Sequence, residues 1–291
     1  DISKHKSIGL VLRDLKHPFF SLIVNSVEEK AYQLGYNIFL SNSSGRIEKE
    51  ESQISHFENI GVNGLIIASM SLIYRATDNI IKLHKRNFPY VMVSYMEDPE
   101  IYYVGTDNEK GAFIATEHLI KLGYENIGYV NGGEGNLLGL VRKKGYEKAL
   151  KDYKRKIDSK LIFNLPLEGD RFKSGYELGR NYLKLNPLPD ALFFYSDLAA
   201  LGFQKGVVDL GLKVPDDVAI VGFDDIDLAK YASSPLTTIK QNTDKIGELA
   251  MVSVINRIEG KVTSIRTILE PELIIRQSCG ASIKNKNSVA I

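Results

Sequence analysis

The sequence predicts an α/β protein with two lobes, each built on a doubly wound parallel sheet. Short apolar runs alternate with segments of helical period along most of the 291 residues. Nearly uninterrupted apolar runs are typical of parallel strands that helices cover on both faces. There are too many such runs for one ordinary sheet, and no Pro-, Gly- or Ser-rich linker divides the chain. We therefore expect two lobes joined by several short crossings, with a ligand cleft between them.

The first third of the chain carries four predicted strands and three predicted helices. The first helix places Ile23, Val27 and Ala31 at helical spacing and stops at Gly35, a residue suited to the left-handed conformation that follows many helices. The same Leu-Gly ending recurs before later strands, and we attribute it to repeated capping chemistry rather than to an internal repeat. The predicted strands span residues 7–12, 36–40, 64–68 and 90–94, and the helices span about 19–34, 47–59 and 72–86.

The same alternation continues to residue 221. A helix at 108–122 aligns Ala112, Ala115 and Leu119 on one face. We expect Asp197 to cap the helix that follows it through its side chain. The pattern is lost after Arg276, and residues 284–291 are expected to form a frayed tail. The remaining predicted strands span 126–130, 161–163, 191–195 and 218–221, and the remaining helices span about 137–153, 171–183 and 198–210.

Charge and cysteine content exclude several classes of protein. Lys and Arg number 37 against 36 Asp and Glu, a net charge of +1, whereas a domain that grips nucleic acid normally has a clear basic excess. The single cysteine, Cys279, cannot form an internal disulfide, and no Cys/His spacing suggests zinc. No apolar run approaches the ~18 residues that a membrane span needs. These residues are therefore a poor candidate for direct DNA or RNA binding and for a membrane protein.

The sequence shows no sign of catalysis. Gly133 and Gly135, with Gly139, follow a strand and open a helix, loosely like a dinucleotide-binding loop. The spacing departs from that pattern, and no acidic residue follows at the end of a second strand ~20 residues later. The five histidines are scattered, and no nucleophile elbow or phosphate-binding loop is present. We therefore predict no enzyme activity, no cofactor and no metal.

Polar and aromatic side chains follow the predicted strands, at the edge where ligands bind in open parallel sheets. Carboxylates accept hydroxyl protons, arginine donates in a fork and amides do both, while aromatic rings cover the apolar face of a sugar or base. Such a set suits a small, hydroxyl-rich ligand in a cleft. The candidate ligand-binding residues are Asp14, His17, Phe19, Phe20, Ser94, Tyr95, Arg142, Ser196, Asp197, Asp224 and Gln241.

Several of these residues have a structural alternative. From spacing alone, Arg142 is better interpreted as a surface arginine. Asp224 or Asp225 could cap a turn instead of contacting a ligand. Of Phe19 and Phe20, we expect one to lie in the core and one to line the cleft.

A series of motifs between residues 7 and 279 resembles the LacI/GalR family of bacterial transcription regulators. The similarity is strongest at 196–202, a Ser-Asp-x-Ala-Ala-Leu-Gly motif, and at 212–225, which ends in Val-Gly-Phe-Asp-Asp. The other matching segments are 8–11 with 18–20, 35–37, 41–42, 62–67, 106–108, 116–119, 142–146, 235–241 and 270–279. The order in which these segments occur makes a chance match implausible.

The resemblance implies a periplasmic-binding-protein fold with two lobes, three crossings and an effector between the lobes. It assigns about 1–104 plus 242–268 to the N-terminal lobe and 105–241 plus 269–291 to the C-terminal lobe. Asp14, Phe20, Ser94, Arg142, Ser196, Asp224 and Gln241 match positions where the family contacts its effector. Three departures from the family pattern leave fewer charged and amide groups to face the ligand. Ser94-Tyr95 stands where many sugar-binding members carry Asp-Arg, and His17 and Ser196 each replace a frequent Asn.

By this resemblance the chain is the effector-binding and dimerisation region of a cytoplasmic regulator. Its partners would be a small sugar-like effector, a second copy of the chain, and operator DNA through a helix-turn-helix that residues 1–291 do not contain. The alternative is a periplasmic sugar-binding protein of a transporter. A helix-turn-helix in the upstream coding sequence would indicate the regulator, and a signal peptide would indicate the transporter. The candidate dimer surfaces are 72–86 and 226–234, whose apolar or tyrosine side chains need not all fit inside one lobe: Ile73, Tyr74, Ile80 and Tyr231.

Overall fold

The chain forms two compact units in a computed structural model that describes residues 6–69, 77–167 and 169–282. Unit 1 comprises Asp1–Thr106 with Asn242–Leu269, and unit 2 comprises Asp107–Gln241 with Glu270–Ile291. The chain therefore passes from one unit to the other three times. The lobe boundaries given by the resemblance stay a prediction, and the expected tail at 284–291 lies outside the described residues.

Unit 1 is built on a six-stranded sheet in which every pair of neighbours is parallel. The strand order is β11-β5-β4-β3-β1-β2. Its central strands are completely buried because helices cover both faces. The strands are β1 (Ser7–Leu12), β2 (Asn37–Asn42), β3 (Gly64–Ala68), β4 (Tyr90–Met92), β5 (Tyr103–Thr106) and β11 (Arg266–Leu269).

Four helices pack on this sheet. The first begins where His17 accepts a hydrogen bond at Nδ1 from the backbone amide of Phe19, with Pro18 in the first helical position. Its buried face carries Ile23 and Val27, which belong to one of the two apolar clusters of this unit. The helices are α1 (Pro18–Gln33), α2 (Ile47–Asn59), α3 (Asp78–Lys85) and α8 (Thr243–Ile258).

Unit 2 contains a second six-stranded sheet, ordered β12-β10-β9-β8-β6-β7. All of its pairs are parallel except β12, which runs antiparallel to β10. The predicted α/β class with two doubly wound, mostly parallel sheets is thus confirmed, and the antiparallel strand β12 lies at the edge of its sheet. The strands are β6 (Ile127–Asn131), β7 (Ile162–Asn164), β8 (Ala191–Phe194), β9 (Ala219–Asp224), β10 (Thr237–Lys240) and β12 (Glu272–Ile274), and the helices are α4 (Asn108–Lys121), α5 (Leu137–Asp152), α6 (Arg171–Arg180) and α7 (Asp197–Val208).

Helices α6 and α7 approach each other backbone to backbone through glycines spaced four residues apart on each helix. A Cβ added at Gly175 or Gly179 would overlap a backbone carbonyl of α7, at Ala199 or Phe203. The glycines of α7 meet the backbone of α6 in the same way. Only residues without a side chain allow this close packing, so the sequence of each helix fixes its distance from the other.

Among the α-helices and strands of the described residues, β5, α8, β11 and β12 escaped the sequence analysis, and β10 was expected only as the short run 237–240 that precedes Gln241. The predicted helix at 72–86 is described only from Thr77 onward, where α3 begins at Asp78. Ile73 and Tyr74 lie outside the described residues. None of the described helices is both long and apolar enough to cross a membrane.

Candidate functional site

The carboxyl edge of the sheet in unit 2 brings three of the predicted residues together. Strand β9 ends at Asp224, which pairs in register with Lys240 at the end of β10, so that Gln241 follows beside it. Gln241 Nε2 donates to Asp224 Oδ1 at 2.7 Å. Arg142 of α5 forms an ion pair with the same oxygen, with Nη2 at 3.7 Å. All three side chains are buried.

Arg142 is held from several sides. Its Nε and Nη2 donate to the amide oxygen of Asn108 at 3.0 and 2.8 Å, and its Nη1 donates to the carbonyl of Tyr195. The guanidinium also stacks 3.5 Å from the centroid of the Phe223 ring. Burial lowers the pKa of Arg142, and the nearby Asp224 carboxylate opposes this shift.

Two expectations about Arg142 are therefore wrong. The side chain is 3% exposed, not a surface arginine, because Asn108 and the Tyr195 carbonyl satisfy its donors inside the unit. The resemblance also predicts that Arg142 and Asp224 face each other across one small polar ligand, but the two side chains pair directly at 3.7 Å and leave no room between them.

The chain turns sharply after β9 in a strained conformation. Asp224 has φ 126° and Asp225 has φ 55°, both in the positive-φ region that residues other than glycine rarely adopt. Arg276 Nη2 holds the corner by donating to Asp225 Oδ1 at 2.6 Å. Backbone strain of this kind persists only where surrounding contacts over-determine it, and it is often found at binding sites.

Asp197 lies beneath this corner and has no exposed surface. Its Oδ1 accepts from Thr238 Oγ1 at 2.6 Å, and its Oδ2 accepts from the Ile226 amide at 3.0 Å. The expectation that its side chain caps α7 is wrong: Asp197 is the first residue of the helix, and Ser196 occupies the capping position without a side-chain cap bond. Burial and the neighbouring Asp224 carboxylate raise the pKa of Asp197 to about 8.

Two polar atoms at this edge are buried and have no hydrogen-bond partner among the described residues: Ser196 Oγ and Asn131 Oδ1. Such atoms are rare in folded proteins, and an ordered water or a bound ligand is their usual missing partner. Sequence reasoning selected Ser196 but missed Asn131 and Asn108. Asn131 ends β6, so the strand-end rule could have identified it, whereas Asn108 opens a helix.

The remaining predicted residues belong to unit 1, where they follow the carboxyl ends of β1 and β4. Asp14 is partly exposed, and its carboxylate accepts from the Lys16 amide at 2.9 Å. Phe20 is buried in the core, whereas Phe19 is partly exposed. The two rings pack edge to face, with their centroids 5.3 Å apart. His17 caps α1, as described above.

Ser94 and Tyr95 complete the unit 1 set. Ser94 is 8% exposed, and its Oγ has no partner in the described part of the chain. The Tyr95 ring lies 6.2 Å from that of Tyr103 in an edge-to-face arrangement. Within the residues that the structure describes, no group of three or more His, Cys, Asp or Glu side chains could hold a metal ion.

Residues 116–279 match the family model described as a periplasmic binding protein-like domain. The chain is also 31% identical over 281 residues to the HTH-type transcriptional repressor PurR of Haemophilus influenzae (strain PittEE). That match covers 95% of this chain and 82% of the relative. The relative is a transcriptional repressor and not an enzyme.

Two solved structures with the same fold are regulators as well. The transcription regulator CcpA of Lactococcus lactis superposes with a TM-score of 0.84 at 26% identity, covering 94% of this chain and 99% of the other. A LacI family transcriptional regulator from Enterococcus faecium, with bound ribose, gives a TM-score of 0.81 at 27% identity and covers 94% and 98%. These matches do not favour a transporter's binding protein. The chain belongs to the LacI/GalR family of transcription regulators and contains the periplasmic-binding-protein-like effector domain of that family.

Proposed function

We propose that this domain senses a small, uncharged, sugar-like effector and that it acts as a homodimer in the cytoplasm. The observation that carries the proposal is the buried constellation of Asp224, Gln241 and Arg142 at the carboxyl edge of the unit 2 sheet. Open parallel sheets bind ligands at that edge. Rigid polar groups with limited water access are suited to reading the hydroxyls of a small molecule.

The charge balance of this edge favours an uncharged ligand over a phosphorylated one. The positive charge of Arg142 is opposed by Asp224 at 3.7 Å, and three of its five N–H groups are already bonded inside the unit. An anionic ligand would meet no unopposed cation from these residues. The polar atoms left for it, on Ser196 and Asn131, suit hydroxyl groups.

Each candidate residue has a place in this proposal. In unit 2, Asp224 and Gln241 contact ligand hydroxyls, Ser196 adds a hydroxyl, and Arg142 orients Asp224. Asp197 stabilises the sharp turn after β9 instead of contacting the ligand, because a direct contact with the ligand would require its fully buried side chain to become exposed. In unit 1 the proposed contacts are Asp14, His17, Phe19, Ser94 and Tyr95, while Phe20 supports the Phe19 ring from the core.

The bound ribose in the Enterococcus faecium regulator makes pentoses the first ligands to test. We would measure the melting temperature of the protein with D-ribose, other pentoses and hexoses, nucleosides, and the matching sugar phosphates. A ligand that binds only the native state must raise its stability. The proposal requires at least one uncharged compound to do so, and it is refuted if only phosphorylated compounds do.

Variants then locate the binding site. Gln241→Ala removes a donor to Asp224 and is expected to weaken binding of the best sugar by calorimetry by ~1.5–3 kcal/mol, the scale of a hydrogen bond to a charged group. The matched control is Asp227→Asn, an exposed carboxylate three residues beyond Asp224 that pairs with Lys230. Equal affinity in both variants would place the ligand elsewhere.

The proposed dimer would use exposed apolar side chains of unit 2. Tyr231 is 82% exposed and Leu228 is 54% exposed, both in the 3₁₀ turn Asp227–Tyr231. Ile80 is completely buried in unit 1, so the proposed dimer does not use it. We propose that operator DNA is bound through a helix-turn-helix segment, as the description of the Haemophilus influenzae relative implies for that protein.

A further inference from the structure

Asp197 connects two features of unit 2 that no sequence motif links. On one side, Asp197 Oδ1 lies against Gly222 of β9, two residues before Asp224, and the Asp224 carboxylate at the ligand-facing end of the proposed site opposes ionisation of Asp197. On the other side, Asp197 Oδ2 accepts a hydrogen bond from the backbone amide of Ile226 at 3.0 Å. Ile226 immediately precedes the turn Asp227–Tyr231. That turn carries the exposed side chains of Leu228 and Tyr231. Asp197 therefore links the proposed ligand site to the exposed apolar side chains of Leu228 and Tyr231.

We propose that Asp197 is a proton-exchanging positioning residue that relays the charge at Asp224 to the turn Asp227–Tyr231. The proposal goes beyond effector binding itself and depends on the proposed function only in treating Asp224 as the ligand-facing end.

The two hydrogen bonds of Asp197 differ in kind, and this difference makes a relay possible. The Ile226 amide can only donate, so Oδ2 accepts in either charge state. The Thr238 hydroxyl donates to Oδ1 at 2.6 Å, but a hydroxyl can also accept. When Asp197 carries a proton, that proton can therefore lie between Oδ1 and Thr238 without loss of the contact.

Ionisation strengthens the hold on the turn. A bond from an amide to a carboxylate is charge-assisted and roughly twice as strong as one to a neutral acid. The proton released by Asp197 passes to solvent, and the negative charge remains next to Ile226. Any change that removes negative charge at Asp224 favours this state, because the repulsion between the two carboxylates disappears.

The charged groups that face Asp197 come from several elements. Asp224 and Asp225, at the end of β9 and just after it, oppose its ionisation, and Arg142 from α5 favours it. Arg276, which follows β12, is engaged with Asp225. With burial, the balance favours the neutral acid and raises the pKa of Asp197 to about 8, so that the proton exchanges near neutral pH.

The test follows backbone amides by NMR in the ¹⁵N-labelled protein between pH 6 and 9.5, without ligand. In the wild type, the Ile226 amide is expected to titrate with a midpoint above 7, and the amides of Leu228 and Tyr231 are expected to follow the same curve. Asp197→Asn abolishes this titration. Asp224→Asn is expected to lower the titration midpoint by at least ~0.5 pH units, because the repulsive charge is gone.

Two further variants keep the test decisive. Thr238→Val removes the hydroxyl that favours the ionised form and is expected to move the midpoint up, in the direction opposite to Asp224→Asn. Asp209→Asn, at the residue that follows the same helix, paired with Lys205 and partly exposed, is expected to leave the midpoint unchanged. An Ile226 amide that does not titrate, or a midpoint that is the same in the Asp224 and Thr238 variants, overturns the proposal. Because no ligand is used, these outcomes are independent of whether a sugar binds.

Discussion

The amide oxygen of Asn108 accepts two hydrogen bonds from the guanidinium of Arg142, at 3.0 Å from Nε and 2.8 Å from Nη2. Asn108 is the first residue of α4, and it is 3% exposed. A helix start thus fixes the arginine that pairs with Asp224, although the two residues are 34 positions apart in the chain. This makes Asn108 a structural support of the proposed site.

Asn108→Ala is expected to lower the free energy of unfolding by ~1.5–3 kcal/mol, since it leaves donors of a buried cation without their acceptor. Denaturant unfolding measures this loss. Asn25→Ala, on the exposed face of α1, is the control and is expected to stay within ~0.5 kcal/mol of the wild type. Equal stability of the two variants would show that water replaces Asn108 at no cost.

Asp197 is expected to make stability depend on pH. Its pKa is raised from 3.8 to about 8, so the folded state keeps a proton that the unfolded state releases above about pH 4. The stability contributed by the neutral acid is therefore fully present at low pH and is lost as the pH rises towards 8. The unfolding free energy of the wild type relative to Asp197→Asn should fall across this window and level off above it. A rise across the same window would contradict the shift.

The close packing of α6 against α7 predicts that substituting a glycine at the contact destabilises the protein. A Cβ at Gly202 would overlap the carbonyl oxygen of Phe172. Gly202→Ala should therefore destabilise the protein by ~1–3 kcal/mol, the usual cost of overpacking, despite the higher helix propensity of alanine. Lys205→Ala, exposed on the same helix, serves as the control. A stabilised Gly202 variant in thermal unfolding would mean that the helices separate easily.

Much of this fold is predictable because its central strands are short, apolar and followed by capped helices. Residues 47–59 and 64–68 form a helix and a strand with the predicted bounds. Strands β11 and β12 escaped because they are partly exposed edge strands of three or four residues without a clear apolar pattern. Helix α8 is a different case: Ile246, Ala250 and Val254 have helical spacing after the capping Asn242, so this helix was predictable from the sequence.

The site was predictable only in part. The strand-end rule selected Asp224 and Gln241, which the structure joins by a hydrogen bond. The burial of Arg142 was not predictable, since its partners Asn108 and Tyr195 are distant in sequence. Nor does a sequence pattern distinguish an aspartate that caps a helix from one that, like Asp197, bonds a neighbouring loop. Long-range polar pairing decides such cases, and local spacing does not encode it.

Dimerisation is expected to depend on the exposed turn of unit 2. A dimer of this 32.5 kDa chain should scatter light as a particle of ~65 kDa. Tyr231→Asp places a charge in the proposed apolar contact and should shift the equilibrium to the monomer. Leu183→Asp, at another exposed apolar position, should leave the dimer intact. A wild-type monomer at tens of micromolar, ~50 µM, would exclude an interface of ordinary stability.

Residues 1–291 are expected to show no operator-specific DNA binding on their own. Phosphate contact supplies most non-specific affinity, and a net charge of +1 provides no general basic excess. The strongest local exception is the basic cluster on α5 and the loop after it, which comprises Lys143, Lys144, Lys148, Lys151, Lys154, Arg155 and Lys156. Within α5, Lys143 pairs with Glu147 and Lys148 pairs with Asp152, so part of this charge is already neutralised.

Anisotropy titration with the promoter DNA of the natural gene measures this expectation. Any binding should be weak, independent of sequence and abolished by moderate salt, because counterion release governs purely electrostatic contacts. Replacing Lys151, Lys154 and Lys156 by Gln should remove this residual binding, whereas Lys82→Gln on α3 should not. Sequence-specific retention that survives 200 mM salt, a condition in which ~6–10 phosphate contacts lose ~10³–10⁵ in affinity relative to 50 mM, would mean that these residues read bases directly. The division between a sensing domain and a separate DNA-reading segment would then have to be abandoned.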